Sequence, residues 1–193
     1  VNTLGGVRTN ATFYDNVRVT EKNLVGELNG GWKLITGQLN RERLSLVNVG
    51  PTSVLFNQVV DWAKQTELGG GGYVIDQPWV QLNLARVRAG IEALKLVVYK
   101  QAWAMTDGSL EMADASASKV YGSEFFIEVY RALGEILGQA SLVRSDGDTA
   151  TLLQGRLERL YRTASIITFG GGTNEIQRDI ISAAGLWMPR ASR

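Results

Sequence analysis

Few residues in this sequence could do chemistry, and the most conspicuous is Glu42, in the segment LNRERLSL of residues 39–46. The positions around it step as Trp32, Ile35, Leu39, Glu42 and Leu46, a 3-4-3-4 spacing that marks one face of an α-helix. Four members of that stripe are large and apolar, and the fifth is a carboxylate. An ionised carboxylate moved into a core costs several kcal/mol unless it is paired or protonated. Glu42 therefore reads in two ways. It is a buried partner of Arg41, Arg43 or an Arg on another helix, or it is a general base lining a cavity. In the second case desolvation would raise its pKa toward the working range.

The second candidate is GGGTNEIQR, residues 170–178. Three glycines leading into a helix expose unpaired N–H groups at a positive dipole end, which suits an electronegative ligand. Without a Gly-Lys-Ser/Thr ending it is not a P-loop, and by itself it reads equally as a helix-entry turn.

Composition removes the competitors. The chain has no His and no Cys, which excludes disulfides, thiolate chemistry, Cys-ligated metal, Ser-His pairs and the Glu-x-x-His ligands of di-iron bundles. Acid–base work must then rest on carboxylate, Lys or Tyr. Lys and Arg total 20 against 19 Asp and Glu, a net charge of +1, so nothing electrostatic favours nucleic acid or an anionic membrane. No apolar run approaches roughly 18 residues and no signal sequence opens the chain, which gives the expectation of a cytoplasmic protein with no membrane span. The chain opens on Val1 rather than Met, so we expect it to be part of something longer.

The elements that must position these groups are helical. Residues 1–28 differ: Thr12-Phe13-Tyr14 and Val17 to Thr20 are β-prone runs around the turn pair Asp15-Asn16, read as the last strands of a truncated β-domain. Residues 29–193 form the second domain. A first helix starts at Trp32, breaks near Gly50-Pro51 and continues to about Lys64. A second, capped by Asp76, carries Leu84, Val87, Ile91, Leu94 and Val98 and stops at Asp107-Gly108. A third, capped by Ser109, runs to about Gly138, its first half small (Ala113, Ala115, Ala117, Gly122) and its second half large (Phe126, Val129, Leu133, Ile136). After a polar loop at 145–149 a fourth carries Leu153, Leu157, Leu160, Ala164 and Ile167, and a short helix follows at 174–184. Trp62, Trp79 and Trp103 are expected in helix contacts, and Glu124, Glu128 and Glu135 in solvent or at interfaces. The fold class is all-α: an antiparallel up-down four-helix bundle, with crossings of about 20°, plus a short C-terminal helix.

The order VRVTEKNLVGELNGGW, LNRERL, bundle and FGGGTNEIQRDII resembles the C-terminal half of an acyl-CoA dehydrogenase, over essentially all of the chain. That resemblance implies FAD as cofactor and an acyl-CoA thioester as substrate. A Glu takes the α-proton, the β-hydrogen leaves as hydride to the flavin, and the product is the trans-2-enoyl-CoA. Many members carry the base in a YEGT motif that here reads Gly170-Gly171-Gly172-Thr173, with glycine in the place of the Glu. Others carry it on the first bundle helix in an L-x-x-E-R-L context, which matches Leu39, Glu42, Arg43 and Leu44. By resemblance Glu42 is the base, and Asn40, Arg41 and Arg43 lie along the CoA portion. Gly171 gives its N–H to the thioester carbonyl, Gly172 borders the substrate, and Thr173, Asn174 and Glu175 lie against FAD.

Two departures from the family pattern bear on partners. Homo-oligomeric relatives lend an Arg and a Phe after the first helix, and a Gln in a Q-I-L-G-G turn, to the neighbour's FAD. Here these stretches read Gln65-Thr66-Glu67-Leu68-Gly69 and Glu135-Ile136-Leu137-Gly138-Gln139. The resemblance is therefore to actinobacterial heteromeric enzymes acting on bulky or sterol side-chain acyl groups. In these a related subunit supplies the clamp and an electron-transfer flavoprotein-type protein takes the electrons. A homo-oligomer, a non-catalytic structural subunit and an acyl-CoA oxidase are the alternatives.

Overall fold

The structure, a computed structural model, describes residues 10–144 and 152–189. It contains α1 (Gly31–Ser45), α2 (Gly50–Gln65), α3 (Pro78–Asp107), α4 (Met112–Leu137), α5 (Arg156–Ile167) and α6 (Asn174–Ile180), the last running into a π-helical turn at Ile181–Gly185. The fold class is all-α, as expected, and the polar loop at 145–149 lies outside the described residues.

α4 is the axis of the packing. It touches α1, α2, α3, α5 and α6, and its apolar positions Phe126, Val129, Leu133 and Ile136 meet Leu55 and Val59 of α2, Leu84, Ile91 and Leu94 of α3, and Leu157 and Ala164 of α5 in one core. Burying a Leu or Val side chain of this kind is worth about 1.5–3 kcal/mol each. The small first half of α4 does what small residues allow. A Cβ on Gly122 would come within 2.4 Å of Val47, and one on Gly90 of α3 within 2.2 Å of Phe125, so these glycines are where neighbouring elements approach most closely.

Several expectations are corrected. Residues 10–29 are exposed and contain no strand, only a 3₁₀ turn at Glu21–Asn23. The β-prone runs at 12–14 and 17–20 have no ladder partner among the described residues, and unpaired backbone has no reason to become a strand. The break expected near Gly50-Pro51 is present: α1 ends at Ser45 and α2 starts at Gly50, with Pro51 in its first turn, where its missing N–H costs nothing. Asp76 does not cap α3. It closes a capping box on Tyr73, one turn earlier. Ser109 does not cap α4 either, since its N–H and hydroxyl both donate to the Asp107 carboxylate beyond the end of α3. Trp79 and Trp103 are exposed, and only Trp62 packs against the core.

The stripe that drew attention to Glu42 is also displaced. Trp32 is 79% exposed and Ile35 40%, and the buried positions at the end of α1 are Arg43, Leu44 and, just beyond it, Val47. α1 meets α4 and α3 along its C-terminal end, so its core-facing line is rotated by about one residue, roughly 100°, from the apolar stripe.

Candidate active site

The glycine turn between α5 and α6 is held by inward-facing donors. Gly171 and Gly172 have φ of +68° and +99°, a region that costs an L side chain about 1–2 kcal/mol. Their carbonyls are gripped from three elements. Arg43 Nε of α1 donates to the Gly171 oxygen at 3.3 Å, and Gln177 Nε2 of α6 donates to the same oxygen at 3.3 Å. Lys119 Nζ of α4 donates to the Thr168 and Gly172 oxygens, each at 2.8 Å, and to Asn174 Oδ1 at 2.6 Å. The Gly172 N–H donates to the Phe169 carbonyl at 3.2 Å. The N–H of Gly171, which is half-buried, has no acceptor among the described residues.

Glu42 lies beside this turn. It is one helical turn before Leu46 on the same face of α1, and Leu46 Cδ1 is 3.1 Å from where a Cβ on Gly171 would stand. Glu42 is half-buried and its carboxylate makes no hydrogen bond or ion pair with the described residues. It lines one wall of a cleft of about 860 Å³ between α1 and residues 26–30, together with Lys33, Gln38, Arg41 and Ser45. The alternative of an ion pair with Arg43 is not what the geometry shows. Arg43 Nη1 donates to Asn40 Oδ1 at 2.8 Å and Nε is committed to Gly171. The Arg43 guanidinium is pushed below its ordinary pKa first by burial, with the charge of Glu42 acting in the opposite direction.

The remaining candidates are placed as follows. Asn40 is occupied by Arg43, and Arg41 is exposed on the cleft. Thr173 and Glu175 are exposed, with Thr173 capping α6 by accepting from the Ile176 N–H. The Glu175 carboxyl sits below the usual range because its own backbone N–H, and then the Thr173 hydroxyl, hold it. Asn174 is turned inward: besides Lys119 it meets Ser123 Oγ and donates to Glu124 Oε1 at 3.1 Å. Glu124, expected in solvent or at an interface, is partly exposed and paired with Arg178 at 2.8 Å.

Sequence reasoning missed Lys119, Ser123 and Gln177. Lys119 is 0% exposed, on the stripe Ala115, Lys119, Gly122, Phe126, Val129. That is the same anomaly of a charge on a buried face that singled out Glu42, and it was there to be read. Burial drives the Lys119 pKa down to about 8, the nearby Arg43 adds to the fall, and Glu175 and Glu124 oppose it.

Residues 29–186 match the family described as "Acyl-CoA dehydrogenase, C-terminal domain". The chain belongs to the acyl-CoA dehydrogenase family. It is 50% identical, over its full length and 49% of that protein, to "Acyl-CoA dehydrogenase FadE26" of Mycobacterium tuberculosis. The fold superposes on the "ChsE4-ChsE5 complex from Mycobacterium tuberculosis" with a TM-score of 0.83 and 49% identity, covering 93% of this chain and 46% of that one. It superposes on the "Tcur3481-Tcur3483 steroid ACAD" with a TM-score of 0.83 and 44% identity, covering 93% and 45%. The chain thus spans about half the length of the acyl-CoA dehydrogenases it matches. Among its described residues no helix is long and apolar enough to cross a membrane.

Proposed function

We propose that this chain is the base-bearing C-terminal half of a flavin-dependent acyl-CoA dehydrogenase subunit, with Glu42 taking the α-proton of a bulky, steroid-bearing acyl-CoA. One observation carries the reading. A carboxylate without a partner stands on α1, and an N–H without an acceptor stands on the turn that Arg43 and Leu46 join to the end of that helix. An unpartnered carboxylate can take a proton, and an unpaired N–H beside it can hold the oxygen on which the resulting charge collects. Neither group has a structural task to abandon.

The residues present fit a flavin on the outer side of the turn: Thr173 is exposed there and its N–H has no acceptor among the described residues. FAD, when bound, supplies the two-electron acceptor. Thr173 would meet it directly, and Glu175 would border it. Asn174, being buried, acts by holding the turn. Arg41, exposed at the cleft mouth, is the cation on α1 free to meet the CoA phosphates, whereas Arg43 positions the turn.

A heteromeric assembly is the matching proposal for partners. One of the structurally similar proteins is named as the ChsE4-ChsE5 complex, and another carries the paired name Tcur3481-Tcur3483 and is called a steroid ACAD. At the clamp positions this chain has Gln65 to Gly69 without Arg or Phe, and an exposed Glu135 beside Arg131. A related subunit would supply those groups, and an electron-transfer flavoprotein-type protein would receive the electrons.

The test uses the full-length chain, expressed alone and with the acyl-CoA dehydrogenase encoded beside it. Cholanoyl-CoA and octanoyl-CoA are offered with a dye acceptor. Loss of two hydrogens from the thioester is expected, faster for cholanoyl-CoA, and Glu42→Gln is expected to slow it by at least about 100-fold with flavin retained. Undiminished turnover by Glu42→Gln would overturn the assignment. Stoichiometric flavin in a homo-oligomer of the full-length chain alone would overturn the heteromer.

A further inference from the structure

A lysine with no exposure at all holds three oxygens next to the proposed reaction centre. A buried ammonium costs several kcal/mol unless its donors are satisfied. Here three N–H donors meet three acceptors, a full match. All three acceptors belong to residues 168–174, on either side of Gly171.

We propose that Lys119 is a positioning residue: from α4 it fixes the glycine turn so that the Gly171 N–H points at the thioester oxygen. The proposal rests on the reading of Glu42 and Gly171 given above. The geometry supplies the reason. The peptide after Gly171 is fixed at both ends, its oxygen by Arg43 and Gln177 and its N–H by Phe169. The next peptide has its oxygen fixed by Lys119. With those two planes set, the polar group of Gly171 left without a partner among the described residues is its own N–H, on the peptide just before them. Remove Lys119, and the Gly172 oxygen loses its donor, while the Thr168 oxygen keeps only the Asn174 N–H, at 2.9 Å. The turn, built of glycines with no side chains to wedge it, then keeps the anchors at Gly171 and its own backbone bonds, and the carbonyl after Gly172 is held by nothing from the core.

The charged groups around Lys119 are Arg43 on α1, Glu124 on α4 and Glu175 on α6, with Arg178 of α6 neutralising Glu124. Desolvation and Arg43 bring the ammonium to about 8, so its proton is lost in mildly alkaline solution. The neutral amine keeps two N–H donors for three acceptors.

The experiment reads the hydrogen bond itself. In the full-length, flavin-loaded enzyme carrying Glu42→Gln, which holds substrate without consuming it, the thioester C=O stretch of bound cholanoyl-CoA is followed by difference infrared spectroscopy. Octanoyl-CoA replaces it if the wild type prefers that. The stretch is expected to fall on binding, to lose that fall when Lys119→Met is added, and to relax toward the free value as pH rises through about 8. In the Glu42 enzyme, Lys119→Met is expected to lower kcat on the order of 100-fold with KM within about twofold, and to abolish the alkaline limb of the kcat profile. If Lys119→Met loses flavin, the pH titration of the stretch, which needs no second substitution, decides the matter. A C=O shift unchanged by Lys119→Met, or flat across pH about 7 to about 9.5, overturns the proposal. Turnover surviving Glu42→Gln would instead sink the reading of Glu42 as base, and is a separate outcome.

Discussion

Arg43 Nε donates to the carbonyl of Gly171 at 3.3 Å, joining the end of α1 to a turn 128 residues further along the chain. The bond does two things. It sets the distance between the helix that carries Glu42 and the turn that carries the free N–H. It also leaves Glu42 without the cation that would otherwise neutralise it. Arg43→Ala is expected to cost about 1.5–3 kcal/mol, the worth of hydrogen bonds to a charged group, in denaturant unfolding of the full-length chain. Arg43→Lys, a point charge without the fork that reaches Asn40 and Gly171 together, is expected to recover only part of it.

Gly172→Ala tests how tightly the turn is specified. Its φ is +99°, and an added Cβ would stand 2.6 Å from Gln177 Nε2. Strain and displacement of Gln177 together are expected to destabilise by about 1–3 kcal/mol, read as a lowered melting temperature. Gly70→Ala, in a loop with open space at the same atom, is expected to leave it unchanged within about 0.5 kcal/mol.

Close approach of α4 to the segment after α1 is tested by Gly122→Ala. The added methyl would meet the side chain of Val47, fully buried in the core, at 2.4 Å. Overpacking of this kind costs about 1–3 kcal/mol. If the melting temperature is unmoved, α1 is not seated on α4 as described.

Thr52 and Tyr130 form a buried hydroxyl pair at 2.9 Å between α2 and α4, and burial raises the Tyr130 pKa despite that bond. Tyr130→Phe leaves Thr52 unpaired and is expected to cost about 1–3 kcal/mol, whereas Tyr130→Phe with Thr52→Val is expected to recover much of the loss. Additive losses in the double-mutant cycle would show that the two hydroxyls are not each other's partners.

Glu158 gives a pH dependence of known sign. The Arg162 guanidinium, bonded to both its oxygens at 2.9 and 3.0 Å, holds its carboxyl below the ordinary 4.5, with Arg144 adding to the effect. A carboxyl with a depressed folded-state pKa contributes stability that is complete above the ordinary carboxylate range. That contribution is lost as pH falls through it. Glu158→Gln is therefore expected to flatten the acid side of the stability curve and to leave its slope near neutrality unchanged.

Much of this protein was determined by its sequence alone. Helical periods in 84–98, 126–136 and 157–167 are local properties of apolar spacing, and they became α3, α4 and α5. The absence of His and Cys left acid–base work to carboxylate, Lys or Tyr, and the two motifs at 39–46 and 170–178 carried the family. What periodicity could not decide was rotation. The stripe through Trp32 and Ile35 predicts a buried line, yet α1 turns Arg43, Leu44 and Val47 inward, because a helix buries whichever face its neighbours touch. The caps at Asp76 and Ser109 failed for the same reason, and the runs at 12–20 have no ladder partner among the described residues, since a donor's partner is fixed by packing rather than by residue type. Only the tertiary structure could show that Arg43 belongs to Gly171 rather than to Glu42, and that Lys119, 49 residues before Thr168, grips the turn from the core. Those bonds join points far apart in the chain. No local rule of spacing reaches that distance.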